Sequence, residues 1–141
     1  MKIGYFSDLH LEASNVVLDF SAYDCLIFAG DISADFFLLE QFLSYKVPHN
    51  IPVIFVPGNH EFYGSEMFTI LEKLNHNFPN INIITGVEGF GLKSVEIGNV
   101  RFLGGTLWTD FALYAGSKRI PTVEDAISIG RNAINDFRRI S

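Results

Sequence analysis

Short apolar runs alternate with amphipathic segments along the first part of this chain. The runs at residues 2–6, 24–29 and 51–56 have the length and apolar content of buried strands. Residues 34–46 and 64–78 carry apolar side chains at helical spacing. This alternation predicts parallel strands connected by helices, which is the organisation of an α/β protein.

The expected helix starts follow from polar residues beside these segments. Ser33 is predicted to cap the first helix, with Asp35 in its first turn, where a negative charge suits the helix dipole. Gly64 and Ser65 are predicted to open the second helix. Thr122, with Asp125 three residues later, is the pattern of a capping box and predicts the start of a last helix.

The pattern changes after residue 80. Residues 81–85 predict a short fourth strand. Apolar and polar residues alternate in the segments 94–97 and 100–103, which lie on either side of Gly98 and Asn99. A two-residue Gly-Asn connection between alternating segments is typical of a β-hairpin. The chain is therefore expected to pass from parallel βαβ units to antiparallel pairing.

Polar side chains that can bind a metal ion follow each of the first three predicted strands. Asp8 and His10 follow the first, Asp31 follows the second, and Asn59 and His60 follow the third. The carboxyl ends of parallel strands share one edge of a sheet, so these side chains are expected to converge there. Taken alone, Asp8 and His10 would be interpreted as a capping residue and a surface histidine.

Charge and composition argue against a nucleic-acid-binding protein and against a membrane protein. The chain has 141 residues, a net charge of -6 and no long basic cluster, so binding to nucleic acid is not expected. No apolar run is long enough to span a membrane and no signal sequence is evident, so a cytoplasmic protein is expected. The single cysteine, Cys25, lies in an apolar run and is predicted to be a core residue.

Three motifs in order give a family resemblance. Asp8-x-His10, then Gly30-Asp31, then Gly58-Asn59-His60-Glu61, each after an apolar strand, resemble the calcineurin-like metallophosphoesterase superfamily. The resemblance implies an α/β fold of layered β-sheets flanked by helices. It also implies a metal-dependent phosphoesterase that hydrolyses a phosphomonoester or phosphodiester by a metal-bound hydroxide at a dinuclear site.

The resemblance assigns a role to each motif residue. Asp8 and His10 would bind the first of two divalent ions, Asp31 would bridge the ions, and Asn59 would bind the second. His60 would protonate the leaving oxygen, and Glu61 would support the turn from outside the ligand set. Mixed oxygen and nitrogen ligands suit Mn²⁺, Fe or Zn²⁺, and they do not choose among the three.

The chain also departs from the superfamily pattern. The pattern continues with a further histidine and a Gly-His-x-His turn, whereas the histidines here are His10, His49, His60 and His76. We therefore expect residues 1–141 to form a single, truncated domain whose second ion has only Asp31 and Asn59 as ligands. The segment after Asp31 also lacks the Asp-Arg pair of the protein serine/threonine phosphatases, which argues against that subgroup.

Three explanations of this departure stay open. The chain is a fragment of an enzyme, a partner chain supplies the missing ligands, or the protein is a non-catalytic interaction module with this fold. An incomplete sheet would leave an exposed edge, so self-association is predicted. A nucleotide-binding α/β domain is a weaker interpretation, because no glycine-rich phosphate loop opens a helix. For Trp108 and Asp110, a structural role and a place at the rim of the site are equally supported.

Overall fold

A parallel sheet forms the centre of the molecule. The structure, a computed structural model, describes residues 1–113, 116–119 and 122–141. Strands β1 (Ile3–Phe6), β2 (Cys25–Ala29), β3 (Val53–Val56) and β4 (Asn82–Ile83) are all parallel and lie in the order β1-β2-β3-β4. The predicted parallel arrangement is confirmed, and the carboxyl ends of β1, β2 and β3 therefore lie at one edge.

Two helices cover one face of this sheet. Helices α1 (Phe36–Tyr45) and α2 (Met67–Asn77) place their apolar residues against the side chains that alternate along β2 and β3. This main core is aromatic and aliphatic, and its central side chains are fully buried: Phe28, Phe55, Leu39, Leu43, Leu71 and Leu74. Burial of this apolar surface stabilises the packing of the helices on the sheet, from which the loops at the carboxyl edge extend.

A β-hairpin packs on the opposite face. Strands β5 (Ser94–Ile97) and β6 (Val100–Leu103) pair antiparallel around Gly98 and Asn99, as the sequence predicts. Their apolar side chains pack against a smaller cluster that contains Cys25, which is fully buried and confirmed as a core residue. The chain thus has a layered α/β architecture.

The two helix starts differ from the prediction. Asp35, rather than Ser33, is the N-cap of α1, because its Oδ1 accepts hydrogen bonds from the N–H groups of Phe37 and Leu38. Ser33 is buried and its hydroxyl accepts from the N–H of Asp35. Helix α2 begins two residues after Ser65, with Glu66 as its N-cap. At the start of α2, the long side chain of Glu66 accepts hydrogen bonds from the free N–H groups, whereas the sequence pattern suggested the small residues Gly64 and Ser65.

The C-terminal segment returns to the carboxyl edge of the sheet. Helix α3 (Val123–Ala133) begins with the predicted capping box of Thr122 and Asp125, and a short helix α4 (Asp136–Arg139) follows it. The N–H of Gly64 donates to the carbonyl of Arg139 over 2.7 Å. This contact places α4 beside the 3-10 turn His60–Phe62 and brings Asp136 to the predicted site.

Within the described ranges, none of the helices has both the length and the apolar character required to cross a lipid bilayer.

Candidate metal centre

The loops after β1 and β2 are joined by backbone hydrogen bonds. The N–H of Asp8 donates to the carbonyl of Gly30 over 3.0 Å, and the N–H of His10 donates to the carbonyl of Asp31 over 3.1 Å. Asp8, His10 and Asp31 all have positive φ angles, of 53°, 45° and 54°. Positive φ is uncommon for residues other than glycine and often marks functional loops. Here it turns three potential metal ligands toward one place.

These three side chains offer a set of ligand atoms suited to a divalent ion. One ligand atom each from Asp8, His10 and Asp31 lies within 4.8 Å of the others. In the described part of the chain, no lysine or arginine forms an ion pair with any of the three. Two carboxylates without a cationic partner repel each other, and a bound cation would remove that repulsion. The residues therefore fit the metal ion that the sequence pattern implies.

Two glycines allow the carboxylate of Asp31 to approach the loop after β3. A Cβ atom on Gly58 would lie 2.2 Å from Asp31 Oδ1, and one on Gly30 would lie 2.9 Å from the backbone of Gly58. Any side chain at Gly58 would have to displace the carboxylate. The N–H of His60 also donates to Asp31 Oδ1 over 3.0 Å. The carboxylate of Asp31 is therefore held against the loop after β3.

Glu61 lies outside the ligand cluster and is almost completely buried, with 3% of its surface exposed. Its carboxylate accepts hydrogen bonds from the N–H groups of two loops, with distances of 2.6 to 3.0 Å: Asp31, Ile32, Ser33 and Gly58. Burial raises the pKa of Glu61, and the hydrogen bonds from Ser33, Gly58 and Asp31 oppose that change. Glu61 thus ties the loop after β2 to the loop after β3.

The amide of Asn59 is oriented by two side chains. Its Nδ2 donates to Asp136 Oδ1 over 2.9 Å and to the Tyr63 hydroxyl over 3.2 Å. The Tyr63 hydroxyl itself donates to Asp136 over 2.8 Å. Burial raises the pKa of Tyr63, and its hydrogen bond to Asp136 raises it further, so the phenol keeps this proton. Because the amide nitrogen makes these contacts, the amide oxygen of Asn59 is the atom of this side chain that could bind a metal ion.

His60 lies against the metal-ligand cluster. Its ring centroid is 4.6 Å from that of His10, and its ring stacks on Tyr63 at 4.4 Å. The carboxylate of Glu12 lies between the two imidazoles, with Oε1 3.3 Å from His10 Nδ1 and 3.7 Å from His60 Nδ1. His10, Glu12 and His60 form a second group of potential ligands.

Glu12 carries a negative charge at neutral pH. Its partial burial acts to raise its pKa, but N–H groups of Glu12 and Ala34 and the side chains of His10 and Ser33 outweigh this effect. The pKa of Glu12 therefore lies below its ordinary value.

The sequence analysis did not identify Glu12 or Asp136 as site residues. Glu12 follows His10 at the same two-residue spacing that links Asp8 to His10, and this spacing was a signal that could have identified it. Asp136 is 77 residues from Asn59, and no local pattern marks it.

Two cavities open beside the site. One has a volume of about 570 Å³ and is lined by Gly58, Asn59 and the loop that contains Gly104 and Gly105. The other, of about 470 Å³, is mainly apolar and is lined by α4 and Phe111. Trp108 and Asp136 line both cavities, which places Trp108 at the rim of the site. Asp110 instead accepts a hydrogen bond from the N–H of Ala112 and forms a turn.

Comparisons with known proteins agree with this architecture. The sequence profile of a family described as calcineurin-like phosphoesterase matches residues 1–138. The uncharacterized protein L509 of Acanthamoeba polyphaga mimivirus is 28% identical over 130 residues, an alignment that covers 77% of this chain and 44% of that protein.

A similar solved structure is that of the phosphopantetheinyl hydrolase from Mycobacterium tuberculosis. Its TM-score is 0.66 at 17% identity, and the match covers 99% of this chain and 55% of the hydrolase. This likeness shows that the two proteins share a fold. The chain spans about half the length of these relatives.

Proposed function

This chain belongs to the calcineurin-like phosphoesterase family, and we propose that it forms a metal-dependent phosphoesterase site for a phosphomonoester or phosphodiester. The observation that carries the proposal is the grouping of Asp8, His10 and Asp31, whose ligand atoms lie within 4.8 Å of one another at the carboxyl edge of the sheet. Mixed carboxylate and imidazole ligands suit Mn²⁺, Fe or Zn²⁺.

In this proposal, Asp8 and His10 would hold one divalent ion, and Asp31 and the amide oxygen of Asn59 would be available to a second. Ions held by these residues would supply Lewis-acid chemistry, lowering the pKa of water and neutralising phosphoryl charge. Asp136 and Tyr63 support the assignment of Asn59, because they take up its amide nitrogen.

We assign to His60 the transfer of a proton to the leaving oxygen. Its ring is adjacent to the ligand cluster, and its contact with the Tyr63 ring limits its rotation. Its backbone N–H is bonded to Asp31, so the position of the imidazole is coupled to that of the central carboxylate. General acid catalysis of this kind contributes about 10²–10⁴-fold to a rate.

A second candidate function is a metallophosphoesterase-fold module that binds a partner without turnover. Two observations favour it. Among the residues that match the family motifs, only Asp31 and Asn59 are assigned to a second ion, and His49 and His76 are exposed and belong to neither group of potential ligands in the described part of the chain. Apolar side chains also remain exposed on the sheet face beside the site, including Tyr5 and Leu103.

The deciding experiment is Mn²⁺-dependent hydrolysis of an aryl phosphate monoester, an aryl phosphate diester and a phosphopantetheinyl conjugate. The wild-type chain is compared with Asp31→Asn, and Asp19→Asn, which changes an exposed loop carboxylate, is the matched control. Calorimetric titration with Mn²⁺ accompanies each assay.

Turnover that requires Mn²⁺, is lost in Asp31→Asn and is kept in Asp19→Asn supports the phosphoesterase. If the folded chain binds Mn²⁺ but hydrolyses none of the three substrates, the binding module is the better description.

A further inference from the structure

Glu12 connects three parts of the candidate site. It lies two residues after the metal ligand His10, and its Oε2 accepts a hydrogen bond of 3.1 Å from the N–H of Ala34, in the segment after Asp31. Its other oxygen, Oε1, faces Nδ1 of both His10 and His60. The hydrogen bond to Oε2 limits the rotation of the Glu12 carboxylate. Oε1 is therefore kept facing the rings of His10 and His60.

The ring of His60 lacks a hydrogen-bond partner at the atom that faces Glu12. Its Nδ1 is buried and accepts or donates no hydrogen bond within the described residues. A buried polar atom without a partner destabilises the folded chain, so a nearby acceptor for this nitrogen is favoured. Glu12 Oε1 is 3.7 Å away, and a movement of less than ~1 Å would form a normal hydrogen bond.

A carboxylate in this place determines which ring nitrogen carries the proton. A histidine that donates Nδ1–H to a carboxylate has its Nε2 lone pair available to a metal ion. For His10, this tautomer matches the ligand role. For His60, an Nδ1–H bond to Glu12 fixes the ring plane and directs Nε2 away from Glu12.

We propose that Glu12 is a positioning residue that fixes the tautomer and ring orientation of His10 and His60 together. It acts through the two histidines and does not touch the reacting atoms. A competing interpretation is that Glu12 is itself a metal ligand, with His10 and His60, and the tests below separate the two.

The first test does not depend on any enzymatic activity. The metal-free chain, labelled with ¹⁵N at histidine, is studied by long-range ¹H–¹⁵N correlation at a pH where the imidazoles are neutral. We expect His10 and His60 to show the Nδ1–H tautomer in the wild type and a mixture of tautomers in Glu12→Ala. His49 and His76, which do not contact Glu12, are internal controls and should not change. Unchanged tautomers of His10 and His60 in a folded Glu12→Ala would overturn the proposal.

The second test is Mn²⁺ affinity, measured by titration calorimetry. A positioning role predicts binding about 10-fold weaker in Glu12→Ala with unchanged stoichiometry. Glu12→Gln, whose amide oxygen still accepts an N–H, should recover part of this loss and also serves if Glu12→Ala does not fold. Loss of one bound equivalent of Mn²⁺ would overturn positioning in favour of direct ligation.

The third test rests on the proposed function, because it needs turnover. If Glu12 orients His60 as the proton donor, Glu12→Ala should lose at least about 10-fold more rate with an alkyl phosphate than with a nitrophenyl phosphate, whose leaving group needs no proton. An equal loss with both substrates would contradict the role for His60. Absence of all turnover would count against the proposed function and would leave the tautomer result to decide on Glu12.

Discussion

At the residue scale, one buried carboxylate, that of Glu61, is hydrogen-bonded to the backbone of two loops of the candidate site. Glu61 accepts hydrogen bonds from N–H groups that follow β2 and from the N–H of Gly58 after β3. These two loops carry Asp31 and Asn59, so the spacing between the proposed ligands depends on a side chain that is not itself in the ligand cluster. The stability of the fold and the geometry of the site are therefore linked at Glu61.

We expect Glu61→Ala to lower the free energy of unfolding by at least about 3 kcal/mol, because it leaves several buried N–H groups without an acceptor. Glu61→Gln should lie between this variant and the wild type, because its amide oxygen replaces only one of the two carboxylate oxygens. Urea denaturation measures both. Glu88→Ala is the matched control, because 92% of the Glu88 side chain is exposed. A Glu61→Ala chain as stable as this control would show that water replaces the carboxylate.

At the scale of elements, helices α1 and α2 both begin at acidic caps, Asp35 and Glu66. Hydrogen bonds from the Thr69 hydroxyl and from the N–H groups of Thr69 and Phe68 lower the pKa of Glu66 at the start of α2. Because the folded pKa lies below the unfolded one, this contact stabilises the folded chain above the unfolded pKa, about 4.3. The contribution is lost as the pH falls through the folded pKa.

Glu66→Gln should therefore be less stable than the wild type at about pH 7, and the difference should shrink as the pH falls toward about 3. Urea denaturation at a series of pH values gives this difference. Glu72→Gln, at an exposed position later in α2, is the control and should follow the wild type. A difference that stayed constant across the series would show that the charge of Glu66 does not contribute.

The same scale shows what the sequence could predict. The strands and the hairpin could be predicted because the spacing of apolar residues and the turn residues are features of short stretches of sequence. The observed strand positions differ from the prediction by at most a few residues. The capping box of Thr122 and Asp125 was predicted correctly, whereas the caps of α1 and α2 were assigned wrongly. Ser33, Asp35 and Glu66 all lie near a helix start, and only the path of the backbone selects among them. Asp136 could not be predicted as a neighbour of Asn59, because that contact depends on how α4 packs. The roles assigned to Asp8, His10, Asp31, Asn59, His60 and Glu61 stay predictions.

At the scale of the whole molecule, one face of the sheet is only partly covered. On the edge strand β1, Tyr5 is 66% exposed and Ile3 is 40% exposed. Leu103 at the end of β6 and Leu107 in the loop after it are 79% and 98% exposed. Tyr5, Leu103 and Leu107 line the larger cavity beside the site. An exposed apolar face next to an edge strand favours association with another polypeptide.

We expect this chain to self-associate at micromolar concentration through that face. Tyr5→Lys should shift the equilibrium toward the monomer, because it places a charge on the edge strand. Sedimentation velocity over a range of concentrations measures the effect. Val17→Lys, at a loop position that is 96% exposed, is the control for added charge. A wild-type chain that stayed monomeric at every concentration would contradict the prediction.

The positive φ angles of Asp8, His10 and Asp31 have a consequence for how this chain can change over time. Each places a side chain in a backbone region that costs about 1–2 kcal/mol for most residues, a cost that glycine avoids. Selection for stability alone would therefore favour glycine at these positions, although Asp and His tolerate this region better than most residues, and glycine would remove the ligand cluster. Under the proposed function, conformational stability and chemical activity would compete at this edge of the sheet, and a stabilised descendant would be expected to lose its metal-binding residues here first.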